Sequence, residues 1–524
     1  METLIYPRLL IELMSEITLP YKTRSLCPEC LALIDAEVYA KNGKVMIRKV
    51  CEKHGEFEDV YWGDLELFKF ASRFASDGKG IETPITEKKV CPFSCGLCGN
   101  HKSHTALLNI VLTNRCDLAC WYCFFYAKRA GYVYEPSVEQ IRQMVRIAKQ
   151  MKPVACNAVQ LTGGEPTLRE DLTEIIKVIK EEGYDHVQLN TNGIRIAREE
   201  DFAKKIREAG VNTVYLSFDG VDEKTNPKNH AEIPKILENC RKAGLGIVLV
   251  PTIIRSVNDH QLGEIIRFAA KNIDVVRGVN FQPVSLVGSM PKKEREKYRI
   301  TIPDCLKAIE EQTNGEISRH DFYPVPSVAP ISKFVEAITE KPQYELTTHF
   351  ACGMATYVFV EDGKLIPITR FVDVMGLLDF VSKRAEELRD SRVKSLKALK
   401  DIIDLRKFID SSKAPKGMSL AKILFNILVK HDYSSLGEFH KKTLFIGFMH
   451  FQDLYNYDIA RVERCEIHYA TPDGRIIPFC TFNVLPEIYR DRIQEQFGVS
   501  IEEWERKTGR KLKDDIYRVV RRPR

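Results

Sequence analysis

The sequence predicts an α/β protein. A partial (β/α)6 barrel is preceded by a small N-terminal metal-binding module and followed by an α+β region with further cysteines. Apolar strand-like runs alternate with amphipathic helical patterns between residues 106 and 290, as in sheets built from βα units. The fifteen cysteines, apart from the isolated Cys156, Cys240 and Cys305, stand in short-spaced groups or near another cysteine or histidine. In a reducing compartment such groups indicate metal or cluster ligation rather than disulfides.

The N-terminal module is predicted from two pairs of candidate ligands, Cys27 with Cys30 and Cys51 with His54, on either side of a hairpin signal at Asn42-Gly43. Two knuckles joined by a hairpin are typical of a zinc ribbon or a rubredoxin-like mononuclear site. His54 either completes this site or is an exposed polar residue. Zinc would make the site structural and iron would allow electron relay, and the spacing does not separate them.

A short loop then carries Cys91, Cys95 and Cys98 in a C-x3-C-x2-C spacing, followed by His101 and His104. We interpret these thiols as the ligands of an auxiliary 4Fe–4S cluster, and a second zinc site is the alternative. The fourth ligand would be one of the two histidines, a distant cysteine, or no residue at all.

The barrel is predicted from six strand-like runs separated by helical patterns such as Val138–Met151 and Asp171–Glu182. The six runs are Ala106–Leu112, Val159–Leu161, His186–Asn190, Thr213–Phe218, Gly246–Thr252 and Gly278–Gln282. Active sites of such barrels gather at the carboxyl ends of the strands, and the motifs described next fall there.

Directly after the first run, Cys116, Cys120 and Cys123 repeat the C-x3-C-x2-C spacing. Three thiolates can hold three irons of a cubane and leave the fourth iron open. An open iron can chelate the amino and carboxylate groups of S-adenosylmethionine (SAM), whose reductive cleavage releases a 5′-deoxyadenosyl radical. Tyr122 is placed to pack on the adenine. On spacing alone, a zinc knuckle is the alternative.

Small or polar residues follow the next four runs and argue against the zinc knuckle. Glycines there permit close backbone approach, and the carboxylate of Glu165 could accept a hydrogen bond from the SAM ammonium. Together they place polar groups along one rim of the barrel. These residues are Gly163, Gly164, Glu165, Asn190, Ser217 and Arg255.

The C-terminal region contains Cys352, Cys465 and Cys480, which are far apart in the sequence. A turn at Pro472-Asp473-Gly474 predicts a hairpin that brings the last two close together. The three thiols either hold a third cluster or are separate core residues.

Composition is ordinary for a globular protein, and the net charge of +6 is small for 524 residues. A solvated mixed surface explains it, although anionic headgroups or phosphates are also compatible. No apolar run reaches the roughly 20 residues of a membrane span, so we expect a cytoplasmic protein with possible peripheral contact at the membrane surface. Three apolar stretches could line a groove or belong to the core: Phe124-Phe125, Leu420–Val429 and Leu444–Phe448.

The cluster triplet and the Gly-Gly-Glu-Pro turn resemble the radical SAM superfamily, especially its branch that includes the molybdopterin precursor cyclase. That resemblance implies that Glu165 binds the SAM amino group, that Ser217 and Arg255 bind its carboxylate, and that Asn190 binds its ribose.

Over roughly residues 22–490 the chain also resembles one family of archaeal radical SAM enzymes. These are the tetraether lipid synthases, earlier described as methyltransferases of 7,8-dihydro-6-hydroxymethylpterin. The resemblance rests on the cysteine motifs above and on two late blocks, Met449–Asp453 and Arg464–Tyr469. The family implies three 4Fe–4S clusters and one mononuclear iron or zinc, with Cys352, Cys465 and Cys480 as ligands of the third cluster.

The implied reaction joins the terminal carbons of isoprenoid chains of archaeal diether lipids into tetraether lipids, with one chain held on a sulfide of an auxiliary cluster. The alternative is a radical SAM methyltransferase that acts on a reduced pterin of the methanopterin pathway. A more distant alternative is a binding module in which the clusters only stabilise the fold. That alternative does not explain three cysteines beside a Gly-Gly-Glu-Pro turn. The enzyme readings imply an electron donor such as ferredoxin and no nucleic acid.

We therefore divide the chain into four parts. These are an N-terminal helix with a rubredoxin-like metal domain over 1–87, an auxiliary cluster loop over 88–105, the radical SAM partial barrel over 106–290, and a C-terminal auxiliary cluster and substrate-capping region over 291–524.

Overall fold

The computed structural model describes residues 16–82, 90–125, 130–389, 403–415 and 442–522. The strands are β1 Tyr21–Leu26, β2 Leu33–Lys41, β3 Lys44–Cys51, β4 Gly55–Trp62, β5 Leu107–Thr113, β6 Leu118–Cys120, β7 Tyr132–Val133, β8 Ala158–Gly163, β9 His186–Thr191, β10 Thr213–Ser217, β11 Gly246–Val250, β12 Thr252–Ile253, β13 Val276–Pro283, β14 Tyr323–Pro324, β15 Gly353–Glu361, β16 Lys364–Pro367, β17 Thr443–Met449, β18 Ile467–Ala470, β19 Ile476–Pro478, β20 Val499–Ser500 and β21 Arg518–Val520.

Helices pack against these strands and alternate with them in the middle of the chain. They are α1 Leu65–Ser72, α2 Val138–Lys149, α3 Leu172–Glu181, α4 Ile194–Arg198, α5 Phe202–Ala209, α6 Ile233–Lys242, α7 Leu262–Lys271, α8 Arg295–Tyr298, α9 Ile302–Gln312, α10 Ala329–Thr339, α11 Val374–Arg389, α12 Ile459–Val462, α13 Phe479–Val484, α14 Arg490–Phe497 and α15 Ile501–Thr508.

The six predicted barrel strands are confirmed as β5, β8, β9, β10, β11 and β13, which lie side by side in chain order and run parallel. Their residues are mostly buried because helices cover the sheet. The helix predicted at Val138–Met151 forms as α2, and Ser137 caps its first turn in a reciprocal arrangement with Gln140. The predicted α/β fold class is confirmed.

Strands from the C-terminal part of the chain continue this sheet at both edges. β17 adds in parallel beside β13 and β15 pairs antiparallel with β17, while β18 adds in parallel beside β5. Within the described residues, thirteen strands belong to this one sheet. The C-terminal region therefore extends the barrel sheet, and its role as a cap stays a prediction.

The N-terminal module is a four-stranded antiparallel sheet in the order β1-β2-β3-β4. The predicted hairpin is confirmed: Asn42 and Gly43 both have positive φ, which a tight two-residue connection between β2 and β3 requires. Buried residues of this sheet, such as Trp62, belong to the same hydrophobic core as the barrel. The module is thus packed onto the rest of the protein.

The remaining sequence-based expectations fall partly outside the described residues. Most of the N-terminal helix expected before the metal domain and the stretch Leu420–Val429 lie there. The stretch Leu444–Phe448 forms the middle of β17 and is largely buried, so it belongs to the core. Among the described helices, we find none with the length and apolar character that crossing a membrane would require.

Candidate active site

A cavity of about 200 Å³ lies at the carboxyl ends of the central strands. Residues that follow β5, β8, β9 and β10 converge on it because parallel strands present their carboxyl ends at one edge. Of the residues predicted from the sequence, the cavity is lined by Cys116, Cys120, Tyr122, Cys123, Gly163, Gly164, Glu165, Asn190 and Ser217. Most of the predicted radical site is thus brought together.

The three thiols of this triplet suit the cluster that the sequence predicts. The backbone N–H of Leu118 donates to Cys116 Sγ at 3.4 Å, and the backbone N–H of Phe125 donates to Cys123 Sγ at 3.4 Å. Such N–H···S bonds stabilise the charge of thiolates that ligate iron. All three cysteines also border open space, which a cluster with one free iron needs.

The Gly-Gly-Glu turn after β8 lies directly on the backbone of the cluster loop. Gly163 has φ of +147°, and a Cβ on it would stand 2.2 Å from the Thr113 carbonyl oxygen. A Cβ on Gly164 would stand 2.0 Å from the carbonyl oxygen of Arg115. Only glycine allows this approach, so the two glycines are required to place the turn beside Cys116.

Glu165 is buried at the cavity wall. Its Oε1 accepts a hydrogen bond from Thr191 Oγ1 at 2.7 Å, and its Oε2 accepts one from the backbone N–H of Asn192 at 2.8 Å. Burial raises the pKa of Glu165 to about 7. Its predicted role toward the SAM amino group stays a prediction, and its fixed orientation suits that role.

A buried lysine, Lys228, provides positive charge at the cavity. Its Nζ lies 2.8 Å from Asp219 Oδ2 and donates a hydrogen bond to Ser217 Oγ. The Tyr122 hydroxyl donates to the same carboxylate. Lys228 was missed in the sequence because it stands in an ordinary charged loop, eleven positions after β10 ends. Its position beside Ser217 suits an anionic group such as a carboxylate.

Arg255 is the predicted residue that the structure does not bring into the cavity. Its Nε donates to the Arg299 carbonyl at 2.6 Å, and its guanidinium lies 3.2 Å from Asp304 Oδ2. The side chain is 40% exposed. The chain turns away here because β11 ends at Val250 and the short β12 redirects it. The expected contact of Arg255 with the SAM carboxylate is not supported by this geometry.

Aromatic and amide side chains from the C-terminal region form a further part of the cavity wall. Phe451 and Phe479 stack with ring centroids 3.9 Å apart, and Gln452 and Asn483 also line the cavity. Phe124 and Phe125, one of the three candidate apolar stretches, line it as well. Phe451 and Gln452 belong to the late block Met449–Asp453, which was a usable signal in the sequence.

The N-terminal cysteine pairs form a compact group that could hold a metal ion: ligand atoms of Cys27, Cys30, Cys51 and His54 all lie within 4.8 Å of one another. His54 Nδ1 is 3.6 Å from the sulfur atoms of both Cys27 and Cys51, and the sulfur atoms of Cys30 and Cys51 are 3.9 Å apart. Tetrahedral zinc with Zn–S of about 2.3 Å separates its thiolates by about 3.8 Å. These donors fit one ion with His54 as the fourth ligand.

The loop with Cys91, Cys95 and Cys98 packs against the C-terminal region. The backbone N–H of Cys95 donates to the Tyr489 hydroxyl at 3.0 Å. His101 Nε2 is engaged with the Cys465 carbonyl at 2.7 Å, and His104 Nε2 accepts from the backbone N–H of Glu345. One nitrogen of each imidazole thus contacts a group outside the cysteine loop, whereas His104 Nδ1 is buried without a hydrogen-bond partner among the described residues. The three predicted options for the fourth ligand stay open.

Cys352, Cys465 and Cys480 come from distant positions into one buried neighbourhood. Cys352 precedes β15, Cys465 precedes β18, and Cys480 lies on α13 and also lines the cavity. Burial is the main cause that raises the pKa of Cys480 to about 11, and the nearby Cys352 adds to it. Two buried polar groups beside them have unmet hydrogen-bonding capacity within the described residues, His450 at both ring nitrogens and Arg461 at one terminal nitrogen. A bound cluster would meet that capacity, so the donor set fits one.

Comparison with known proteins agrees with this site. A family model described as the Radical SAM superfamily matches residues 110–269, and one described as the HMPTM N-terminal zinc ribbon domain matches residues 19–63. A Methanocaldococcus jannaschii protein named 7,8-dihydro-6-hydroxymethylpterin dimethyltransferase is 51% identical over 93% of this chain and 97% of its own length.

Two further comparisons cover less of the chain. A probable GTP 3′,8-cyclase of Saccharolobus islandicus is 30% identical over 53% of this chain and 88% of its own length. The solved structure of native anSMEcpe with bound AdoMet and Cp18Cys peptide is 17% identical, with a TM-score of 0.32, over 62% of this chain and 88% of that one.

Proposed function

This chain belongs to the radical SAM family that includes its 51%-identical Methanocaldococcus jannaschii relative, and from that premise we propose that it joins isoprenoid chains of archaeal diether lipids at their terminal carbons to form tetraether lipids. The proposal rests on one observation above all. The cavity is lined by the radical-cluster cysteines, by Cys480 and by aromatic side chains.

Cys116, Cys120 and Cys123 would hold the cluster, which with bound SAM would supply a 5′-deoxyadenosyl radical able to remove hydrogen from an unactivated carbon. The residues of the chain orient the partners of that reaction. On the side of the cavity formed by the strand ends, the Glu165 carboxylate provides hydrogen-bond acceptors. Lys228 and Ser217 provide hydrogen-bond donors there. An ammonium and a carboxylate on one ligand can therefore be fixed at two separate points.

In this proposal the aromatic part of the cavity wall selects the carbon to be attacked. Phe124, Phe125, Phe451 and Phe479 present ring surface to the cavity. Such a surface favours an alkyl chain, which gains about 0.8 kcal/mol for each CH₂ removed from water. It also keeps water away from a carbon radical. Cys480 lies within the same wall, so a cluster held there would be next to the bound chain.

The overall balance requires two SAM molecules for each new bond. Each cleavage consumes one electron from a donor such as ferredoxin and releases methionine. Each chain loses one hydrogen atom to form one 5′-deoxyadenosine, and the two chain carbons then share the new C–C bond.

Methylation of a reduced pterin is the second candidate, favoured by the name of the 51%-identical relative. The amide groups of Gln282, Gln452 and Asn483 at the cavity could pair with the polar edge of a pterin. The aromatic wall is less specific to a pterin, because Phe451 and Phe479 already stack on each other.

The test supplies anaerobically reconstituted enzyme, SAM and reductant with either an archaeal diether lipid or 7,8-dihydro-6-hydroxymethylpterin. We expect a cross-linked lipid and two 5′-deoxyadenosines per new bond, measured by mass spectrometry. A methylated pterin without lipid turnover would refute the lipid proposal. Cys480→Ala should abolish coupling while SAM cleavage continues, and Cys240→Ala, which removes a buried thiol from α6, should leave both unchanged.

A further inference from the structure

Arg461 on α12 is a fully buried cation beside Cys352. It is 1% exposed. Its Nε donates to Cys352 Sγ at 3.3 Å, and one terminal nitrogen donates to the His450 carbonyl at 2.6 Å. The other terminal nitrogen is buried and has no hydrogen-bond acceptor among the described residues.

The charge of this guanidinium needs a counter-charge, because an unpaired buried ion costs several kcal/mol. Among the described residues, no carboxylate forms an ion pair with it. Asp458, three residues earlier, instead accepts hydrogen bonds from Thr23 and Tyr61 of the N-terminal module. The face of the Tyr61 ring, 5.7 Å away, contributes only a weak cation–π attraction.

Besides Tyr61, the groups that interact electrostatically with Arg461 include the thiols of Cys352 and Cys480. Neutral thiols would leave the cation uncompensated. Thiolates that hold an iron–sulfur cluster give an assembly that is negative in both of its redox states. Such an assembly would supply the missing charge and would also offer sulfur acceptors to the unpaired N–H groups.

We propose that Arg461 is the charge partner of a cluster on Cys352, Cys465 and Cys480 and that it raises the reduction potential of that cluster. Reduction adds negative charge next to a fixed cation, so Coulomb attraction favours the reduced state. Hydrogen bonds to cluster sulfur act in the same direction. The inference rests on the proposed third cluster and is independent of the substrate.

The test is an EPR-monitored redox titration of reconstituted protein. Arg461→Gln removes the positive charge. Arg461→Lys keeps the charge but lacks the planar set of N–H donors of a guanidinium. The matched control is Arg464→Gln, which loses an arginine just after the same helix, one that is 19% exposed and paired with Asp77. At the wild-type midpoint potential we expect the ratio of reduced to oxidised cluster to fall by about tenfold in Arg461→Gln, less in Arg461→Lys, and not at all in Arg464→Gln.

Equal potentials in Arg461→Gln and Arg464→Gln would overturn the proposal. If the Arg461→Gln variant does not bind the cluster, the proposal is tested by EPR on wild-type protein that contains ¹⁵N-labelled arginine. We expect a hyperfine coupling between arginine nitrogen and the reduced cluster that disappears when Cys352, Cys465 and Cys480 are replaced by alanine. Absence of that coupling overturns the role of Arg461. If the alanine variant shows every EPR signal that the wild-type protein shows, the third cluster itself is overturned, whatever the substrate assay gives.

Discussion

Lys228 and Arg255 illustrate how one basic residue reaches the cavity and another does not. Lys228 is held at the cavity by an ion pair with Asp219 and a hydrogen bond to Ser217. An ammonium has three donors, of which these partners take two. The third is available to a bound carboxylate, so we infer that Lys228 does what the sequence assigned to Arg255.

Lys228→Gln should weaken SAM binding. A hydrogen bond to a charged group contributes about 1.5–3 kcal/mol, or roughly 10–100-fold in affinity. The control is Lys224→Gln, an exposed lysine in the same loop. Equilibrium binding of SAM measures the effect, and thermal unfolding reports whether loss of the Asp219 pair destabilises the fold. Equal SAM affinity in the two variants would refute this role.

The sequence predicts the position of a site residue well where that residue lies at the end of a parallel strand. Glu165 lies two residues after β8, while Asn190 and Ser217 lie at the carboxyl ends of β9 and β10, and the register of the sheet brings all three to one edge. Arg255 lies beyond a second short strand, and its direction depends on Asp304 and Arg299, which are remote in sequence. Local pattern carries no information about such partners.

Among the elements, the turn after β8 couples the sheet to the cluster loop. The Gly164 and Glu165 backbone N–H groups donate to the carbonyls of Thr113 and Arg115 at 2.8 Å and 2.7 Å. Arg115 directly precedes Cys116, so any displacement of this contact moves a cluster ligand.

Gly164→Ala should therefore destabilise the protein by about 1–3 kcal/mol and should abolish SAM cleavage, because the new Cβ meets backbone on the cluster loop. Gly246→Ala is the control, since its Cβ would meet the flexible Arg277 side chain at 3.1 Å. Chemical denaturation and 5′-deoxyadenosine formation measure the two effects. Full SAM cleavage in Gly164→Ala would show that this close contact is dispensable.

The N-terminal module supports the segment that leads to Cys465. Lys49 Nζ is buried and donates to the Leu454 carbonyl at 2.5 Å, and Tyr61 donates to Asp458 at 2.7 Å. Asp458 in turn caps α12, which carries Arg461. The fold of the module and the placement of the third cysteine set are therefore linked through one segment.

Loss of the metal from the N-terminal module should consequently lower the iron content of the remainder. In a Cys27→Ser, Cys30→Ser variant we expect the third cluster to be lost, about four irons per chain, as well as the mononuclear ion. Metal analysis measures both. The control is Lys41→Gln, which removes an ion pair at the surface of the same module, between Lys41 on β2 and Glu58 on β4. An unchanged iron content in the double variant would show that the two regions are independent.

At the scale of the whole molecule, the sequence predicts the six barrel strands but not their neighbours. β15, β17 and β18 lie far along the chain, and their pairing with β13 and β5 depends on contacts that no local pattern encodes. The same long-range pairing gathers the third cysteine set. The predicted hairpin could therefore bring Cys465 near Cys480, whereas local spacing left open whether Cys352 joins them, and the family resemblance favoured it.

The three predicted clusters and the mononuclear site should give about 13 metal ions per chain, most of them iron. Because each set of three cysteines lies on separate elements, its replacement by alanine should remove about four irons and leave the rest. Replacement of Cys116, Cys120 and Cys123 should abolish 5′-deoxyadenosine formation while the other metals remain. Iron and zinc analysis with product quantification provides the measurement. Saturation near four irons in the unmodified protein would refute both auxiliary clusters. Saturation near eight irons would refute the cluster on Cys352, Cys465 and Cys480 first, since only the tertiary fold brings these three cysteines together.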